Sequence, residues 1–155
     1  MEIKKFNSFN VDNDSTNDKS LIKKGFFSNI EKDTIKNTNY RKVLYTSENI
    51  QLVLMSLKPK EQIGMETHDN IDQFFRFEEG NGICIVNDTE YKVSDGDSVI
   101  VPSGSKHNII NTSDKDYLKL YTIYTPPHHK DGIVFKTKKD ADKTDEHFDG
   151  EITES

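Results

Sequence analysis

The chain has 155 residues, of which 32% are hydrophobic and 31% are charged, and its formal net charge at pH 7 is −6. This length suits one domain with a real hydrophobic core. The negative charge and the even scatter of lysines argue against nucleic acid as the main partner, because phosphate binding requires concentrated Lys and Arg. The single cysteine, Cys84, excludes an intrachain disulfide.

The N-terminal residues 1–24 are rich in Asn, Asp, Ser and Lys, which predicts a flexible segment. They contain no apolar stretch of signal-peptide length, and nothing later in the chain is apolar enough to span a bilayer. We therefore expect a cytoplasmic protein with no membrane partner. Residues 25–40 carry scattered apolar side chains, including Phe26, Phe27 and Ile30, and are predicted to form an arm that docks on a domain surface.

Residues 41–127 consist of short apolar or alternating runs separated by turn residues, a pattern typical of an all-β domain. Turn signals such as EGNG, SDGD and PSGS separate the runs. Many short strands with close turns predict a β-sandwich or barrel. The predicted strands are RKVLYTS, IQLVLMSL, GMETH, QFFRFEE, GICIVN, TEYKVS, SVIVP, HNIINT and YLKLYTIYT.

Residues 128–155 are again strongly charged, and two alternatives remain for them: a short helix around KKDADKTDEHF or a flexible, disordered tail. His128 and His129 are adjacent, so their side chains should point apart, and we predict surface histidines after a Pro-Pro bend. His147 is predicted to be solvated. Cys84, within GICIVN, is predicted to be a buried strand residue rather than a reactive thiol.

Three polar residues around the GMETH and QFFRFEE strands are placed to share one site. Residues two apart in a strand face the same side, so Glu66 and His68 can both point into a barrel. Gln73 begins the following strand, and His107 begins HNIINT. A carboxylate, an amide and two imidazoles can therefore converge. The apolar residues predicted to line the same pocket are Met55, Phe75, Phe77, Ile109 and Tyr124.

The stretch GDSVIVPSGSKHNIIN carries a family resemblance. Gly96, Pro102, Gly104, His107 and Asn111 match the second motif of the cupin superfamily, G(x)5PxG(x)2H(x)3N, without a gap. The first cupin motif, G(x)5HxH(x)3–4E(x)6G, is matched in the same frame but with altered ligands.

In that first motif, Glu66 stands at the first His, His68 at the second His, Gln73 at the Glu and Gly80 at the closing Gly. Lys60 stands where the opening glycine would be. The chain is similar to small single-domain bacterial cupins over residues 41–127. The resemblance implies a double-stranded β-helix, a jelly-roll-like barrel with a metal inside, flanked here by flexible N- and C-terminal segments.

The resemblance further implies that Glu66, His68, Gln73 and His107 are metal ligands. Two imidazoles and one carboxylate suit a divalent transition metal (Fe, Mn, Ni, Co or Zn) better than Ca or Mg. Without a metal, Glu66 and His68 would form a hydrogen-bonded pair at the barrel mouth, and Gln73 would bind a ligand or water. Asp72 falls in a turn and is predicted to cap it, as is Asp69.

The function predicted is that of a metal-binding cupin that binds or transforms a small, oxygen-rich molecule in its barrel. As an enzyme it would be a metal-dependent oxygenase or isomerase. The alternatives are a non-catalytic metal or small-ligand sensor or storage module, and a purely structural dimeric barrel. The run FFRF has apolar residues on both faces, which favours a homodimer, unless the arm of residues 25–40 covers the outer face.

Overall fold

The computed structural model describes residues 22–155, so nearly all of the predicted flexible segment 1–24 lies outside the described residues. Within the described part, none of the helices is both long and apolar enough to cross a membrane. The helices and strands, in chain order, are α1 (Ile30–Lys36), β1 (Arg41–Thr46), β2 (Gln51–Leu57), β3 (Asp72–Glu79), β4 (Asn81–Val86), β5 (Thr89–Ser94), β6 (Ser98–Val101), β7 (His107–Asn111), β8 (Leu118–Thr125), β9 (Val134–Phe135) and α2 (Lys138–Asp142).

The strands form two antiparallel sheets, one in the order β6-β3-β8-β2-β1-β9 and the other in the order β5-β4-β7. Both sheets contribute to one hydrophobic core. Phe75 and Phe77 enter it from the larger sheet, Cys84 and Ile109 from the smaller one, and each is at most 1% exposed. The alternating burial along β3 explains the arrangement, because one face of the strand packs inward. The predicted all-β, jelly-roll-like barrel is confirmed.

The predicted strand GMETH is wrong, although the other eight predicted strands are present. The segment makes a single antiparallel bridge, between Glu66 and His107. Left-handed backbone at Gly64 (φ 107°) and Asn70 (φ 62°) bends the chain on either side of it. The extended stretch between these bends is therefore too short for a ladder.

The residues after the last predicted strand return to the barrel. β9 pairs with β1, with Phe135 opposite Arg41. The short helix that was one alternative for this region is α2, whose N-cap Thr137 accepts a hydrogen bond from the Asp140 backbone. Near the end of the chain, the Thr153 N–H donates to the Thr46 carbonyl over 2.9 Å. Residues 128–155 are thus packed along the barrel.

The segment before β1 lies on the outer side of the larger sheet, where α1 contacts β3 and β8. Asn29 caps α1 by accepting from the Lys32 backbone. Lys119 on β8 is only 8% exposed, and its ammonium group donates a hydrogen bond to the carbonyl of Asn37, just after the helix. This contact ties the end of α1 to the sheet.

Gly80, which closes the first motif, requires the absence of a side chain for two reasons. Its φ of 97° lies in the left-handed region. A Cβ atom at this position would also lie 2.4 Å from the Tyr117 carbonyl oxygen. The tight connection between β3 and β4 passes directly beside the start of β8, and only glycine fits there.

Candidate metal centre

The loop that carries Glu66 and His68 is held against β7 by side-chain amides. The buried Asn111 amide nitrogen lies 3.1 Å from the Leu57 carbonyl oxygen and 2.9 Å from that of Lys58, where the loop begins. Asn108 accepts a hydrogen bond from the Gly64 N–H over 2.9 Å. These contacts bring the loop alongside the strand that starts with His107.

Glu66, His68 and His107 form one cluster. Glu66 Oε2 lies 3.4 Å from His68 Nε2 and 4.0 Å from His107 Nε2, and one ligand atom from each residue lies within 4.8 Å of the others. The two histidine ring centroids are 5.2 Å apart. These separations are long for direct hydrogen bonds, so the contacts are electrostatic. They leave room for a cation to which all three residues can be bonded.

The orientation of His107 leaves one nitrogen free. Its Nδ1 lies 3.0 Å from the Ser105 carbonyl oxygen. A carbonyl can only accept, so Nδ1 carries the proton and Nε2 keeps its lone pair in the neutral ring. Both His107 Nε2 and His68 Nε2 are buried and have no hydrogen-bond partner within residues 22–155.

Gln73, at the start of β3, lies opposite Tyr124 on β8 and is 3% exposed. Its side-chain nitrogen donates to the Thr122 hydroxyl over 3.0 Å. The amide oxygen, Oε1, is buried and has no partner among the described residues. Thr122 thus directs the amide so that its acceptor atom stays available.

The protonation states match those of metal ligands. Burial by itself raises the pKa of Glu66, but the contact with His68 and the positive charge of Arg41 outweigh it, so the net pKa is lowered. Burial lowers the pKa of His107, although the bond to the Ser105 carbonyl opposes this shift. An ionised carboxylate beside neutral imidazole is the state that binds divalent metals.

The five residues predicted to line a pocket are all buried. Phe75 and Tyr124 adjoin the histidines: the Phe75 ring centroid is 6.1 Å from that of His107, and the Tyr124 centroid is 6.0 Å from that of His68. The other three belong to the hydrophobic core and are at most 1% exposed: Met55, Phe77 and Ile109.

The prediction that His128 and His129 are surface residues is wrong. The His128 ring centroid lies 4.3 Å from that of His68, and His129 is 4% exposed. The cause is the Gln51 side chain. Its oxygen accepts hydrogen bonds from the backbone N–H groups of His128 and His129, and its nitrogen donates to the backbone carbonyl of His129. Tyr124 near the end of β8 lies opposite Gln73 at the start of β3, so the residues just beyond β8 lie at the same end of the barrel as Gln73. This strand register is the feature that indicates the position of His128 and His129 beside the cluster.

His129 is part of a hydrogen-bonded chain that sequence reasoning missed. Its Nε2 lies 3.2 Å from the Tyr124 hydroxyl, and its Nδ1 contacts the Glu146 carboxylate. Burial lowers the pKa of His129 even though Glu146 opposes the shift. Burial likewise lowers the pKa of His128 to about 4. The residues that follow the barrel strands therefore form one wall beside the cluster.

Three other residues singled out from the sequence, which are Asp72, His147 and Cys84, are not part of the cluster. Asp72 is the first residue of β3 and accepts from the Ser103 N–H over 2.9 Å, so it caps the turn after β6 rather than the turn in which it was predicted to lie. The His147 side chain is 71% exposed and contacts Asp145. Cys84 is fully buried, and burial raises the pKa of its thiol to about 12, so it is unreactive.

Comparison with known proteins agrees with this architecture. A family profile described as "Cupin domain" matches residues 53–124. The uncharacterized protein L612 of Acanthamoeba polyphaga mimivirus is 48% identical over 109 residues, which cover 68% of each chain. The uncharacterized protein YrkC of Bacillus subtilis (strain 168) is 43% identical over 124 residues, which cover 76% of this chain and 66% of YrkC.

The chain therefore spans about two thirds of the length of these curated relatives. Among solved structures, that of BH2720 from Bacillus halodurans superposes with a TM-score of 0.74 at 38% identity. This match covers 77% of the present chain and 94% of BH2720. The barrel, the two motifs and these relatives together show that the chain belongs to the cupin family.

Proposed function

We propose that the protein binds a divalent transition metal (Fe, Mn, Ni, Co or Zn) through Glu66, His68, Gln73 and His107, and holds a small oxygen-rich molecule there. The observation that carries the proposal is a set of three buried polar atoms, His68 Nε2, His107 Nε2 and Gln73 Oε1, without hydrogen-bond partners among residues 22–155. Each such atom costs about 1–3 kcal/mol when unsatisfied. A single cation beside the Glu66 carboxylate would satisfy all of them.

The ligand set defines what such a site can do. Two imidazoles, one carboxylate and one amide leave coordination positions open for a ligand. With Glu66 as the one ionised ligand, the centre carries about one net positive charge and attracts oxygen-rich or anionic molecules. A bound metal supplies Lewis-acid or oxygen-activating chemistry. The apolar walls at Phe75 and Tyr124 keep bulk water away, and Met55, Phe77 and Ile109 support them.

The free polar atoms also bear on the alternatives. A purely structural barrel would gain nothing from leaving them unsatisfied in its interior, so they count against that reading. A catalyst and a non-catalytic sensor or storage module share the same site and differ in turnover. Assays of oxygen consumption and of isomerisation on metal-loaded protein, compared with His107→Ala, separate a metal-dependent oxygenase or isomerase from a sensor.

Elemental analysis of protein purified without added metal tests the site. We expect about one transition-metal ion per chain in the wild type, since the ligands come from one subunit. His107→Ala should lose most of it and retain its far-UV circular dichroism. The matched control is His147→Ala, which removes an exposed histidine and should keep the metal. Wild-type metal content in His107→Ala would refute the proposed ligand set.

We further propose that the protein forms a homodimer through the part of the larger sheet's outer face that remains exposed beside α1. Four apolar residues lie in register across β6, β3, β8 and β2 on that face: Ile100, Phe74, Ile123 and Leu52. Ile100 is 68% exposed, and the other three are half-buried. A continuous apolar row that is at least partly exposed along its length is typical of an interaction surface.

Light scattering coupled to size exclusion tests the dimer. We expect a dimer mass for the wild type and a monomer mass for Ile100→Lys, because the added charge cannot be buried at an apolar interface. Tyr91→Lys, on the opposite sheet at 46% exposure, is the control and should remain dimeric. A monomeric wild type would refute this interface.

A further inference from the structure

Arg41 is a buried cation whose position faces the barrel interior. It begins β1, where it lies opposite Met55 on β2 and Phe135 on β9. Residues opposite each other in antiparallel strands project from the same face, and both neighbours belong to the hydrophobic core. Arg41 is 9% exposed. Its side chain is therefore directed into the barrel, and its Nε is buried.

Within residues 22–155, the Arg41 side chain has neither a hydrogen bond nor an ion pair, and its Nε is a buried atom without a partner. The guanidinium carbon lies over the Tyr40 ring, 5.3 Å from the ring centroid, which is a cation–π contact. The other cations near the core are compensated: Lys119 donates to the Asn37 carbonyl, and Arg76 pairs with Glu78 at 3.2 Å. A buried charge without a partner is costly, and a ligand that supplied the counter-charge would remove that cost.

The charge of Arg41 acts on the candidate metal centre. Its positive charge is one of the causes that lower the pKa of Glu66. Arg41 also contributes to lowering the pKa of Glu146. A divalent metal together with Arg41 would bring three positive charges against the two carboxylates. The interior thus has an excess of about one positive charge, available for a singly charged anion.

We propose that Arg41 anchors a carboxylate group of the ligand that occupies the barrel. The planar guanidinium pairs with the two oxygens of one carboxylate, and a second oxygen of the same molecule reaches the metal centre. A monocarboxylate matches the single excess charge, whereas a phosphate group carries more charge than one guanidinium balances. The inference rests on the proposed function and narrows its oxygen-rich ligand to small carboxylic acids with a further oxygen donor.

Calorimetric titration with two probes tests the anchor. Glycolate carries a carboxylate and a hydroxyl, and ethylene glycol has the same skeleton without the charge. Metal-loaded wild type should bind glycolate and discriminate against ethylene glycol. Arg41→Met should weaken glycolate binding by about tenfold or more, the usual scale for losing charged hydrogen bonds, while its metal content stays at the wild-type level.

The matched control is Lys42→Met, which removes the same charge from the adjacent, outward-facing position of β1 and should leave glycolate affinity unchanged. If Arg41→Met is misfolded by circular dichroism, Arg41→Lys keeps the charge without the planar fork and should still bind glycolate less tightly than the wild type. Unchanged glycolate affinity in a folded, metal-loaded Arg41 variant overturns the proposal. So does equal binding of the two probes by the wild type.

Failure of the metal site gives a different result. A wild type without metal contradicts the proposed function directly, and the same titration on that protein still tests Arg41, because its guanidinium lies on β1 and does not depend on the metal for its position. Loss of glycolate binding in Arg41→Met, but not in Lys42→Met, would then support the anchor alone.

Discussion

Glu66 and His107 exchange two backbone hydrogen bonds, each with a nitrogen–oxygen distance of 2.9 Å. This pairing sets a loop residue directly opposite the first residue of β7, with both side chains on one face. The main chain, rather than the ligand side chains, therefore holds the two ligands together. Replacement of a ligand side chain should leave the scaffold intact, which is why metal content can be tested separately from folding.

Gln73→Glu should raise the affinity for divalent transition metal. A carboxylate in place of the neutral amide adds a negative charge beside the cation, and we expect a gain of about tenfold or more. Competition with a chelating dye measures it. Gln62→Glu, an exposed position in the loop before Glu66, is the control for the same change in net charge. A lower affinity in Gln73→Glu would show that Gln73 is not a ligand.

Glu146→Gln should destabilise the packing of the C-terminal segment. The carboxylate contacts His129 Nδ1 and accepts from the Lys130 N–H, and the side chains of Glu146 and His129 are at most 9% exposed. Loss of the charged interaction should lower the free energy of unfolding by about 1–3 kcal/mol. Urea denaturation measures this value. Glu151→Gln, an exposed position, serves as the comparison, and equal midpoints for the two variants would contradict the prediction.

Metal-free protein should lose stability between about pH 6.5 and 4. Burial lowers the pKa of His128 from 6.5 to about 4. In this range the unfolded chain binds a proton at this residue and the folded chain does not, so acidification favours unfolding. His107 and His129, whose pKa values burial also lowers, act in the same direction.

Urea midpoints measured across that range would show the slope. His128→Asn removes one of the titrating groups. The free energy of unfolding of this variant should therefore fall less steeply on acidification, by a slope that corresponds to about one fewer proton bound on unfolding. A wild-type midpoint that does not change with pH in this range would contradict the burial of these histidines.

Gly80→Ala should be more destabilising than Gly96→Ala. Both glycines have left-handed backbone, with φ of 97° and 89°, so both substitutions incur backbone strain of about 1–2 kcal/mol. At Gly80 the new methyl group also meets the Tyr117 carbonyl, whereas at Gly96 nothing lies within 4 Å. The melting temperatures of the two variants separate backbone strain alone, at position 96, from backbone strain plus a steric clash, at position 80. Similar melting temperatures would argue against the close approach of Gly80 to the Tyr117 carbonyl.

Periodicity and turn residues predicted eight of the strands, because alternating burial and glycine-rich turns are local properties of the chain. They failed at GMETH, where a bend at Gly64 limits pairing to one bridge. Burial of His128 and His129 could not be read locally either. It depends on Gln51, which is distant in the chain and binds their backbone groups.

The amino-acid sequence by itself determined the barrel, through its alternating strands and tight turns, and the two motifs, whose spacing indicated that Glu66, His68 and His107 converge. Only the tertiary structure decided that His128 lies against His68, that Glu146 returns to His129, and that the Nε of Arg41 is buried without a hydrogen-bond partner. These relations join residues from distant parts of the chain. Their proximity arises from sheet closure and from the docking of the C-terminal segment, neither of which is encoded in any local pattern.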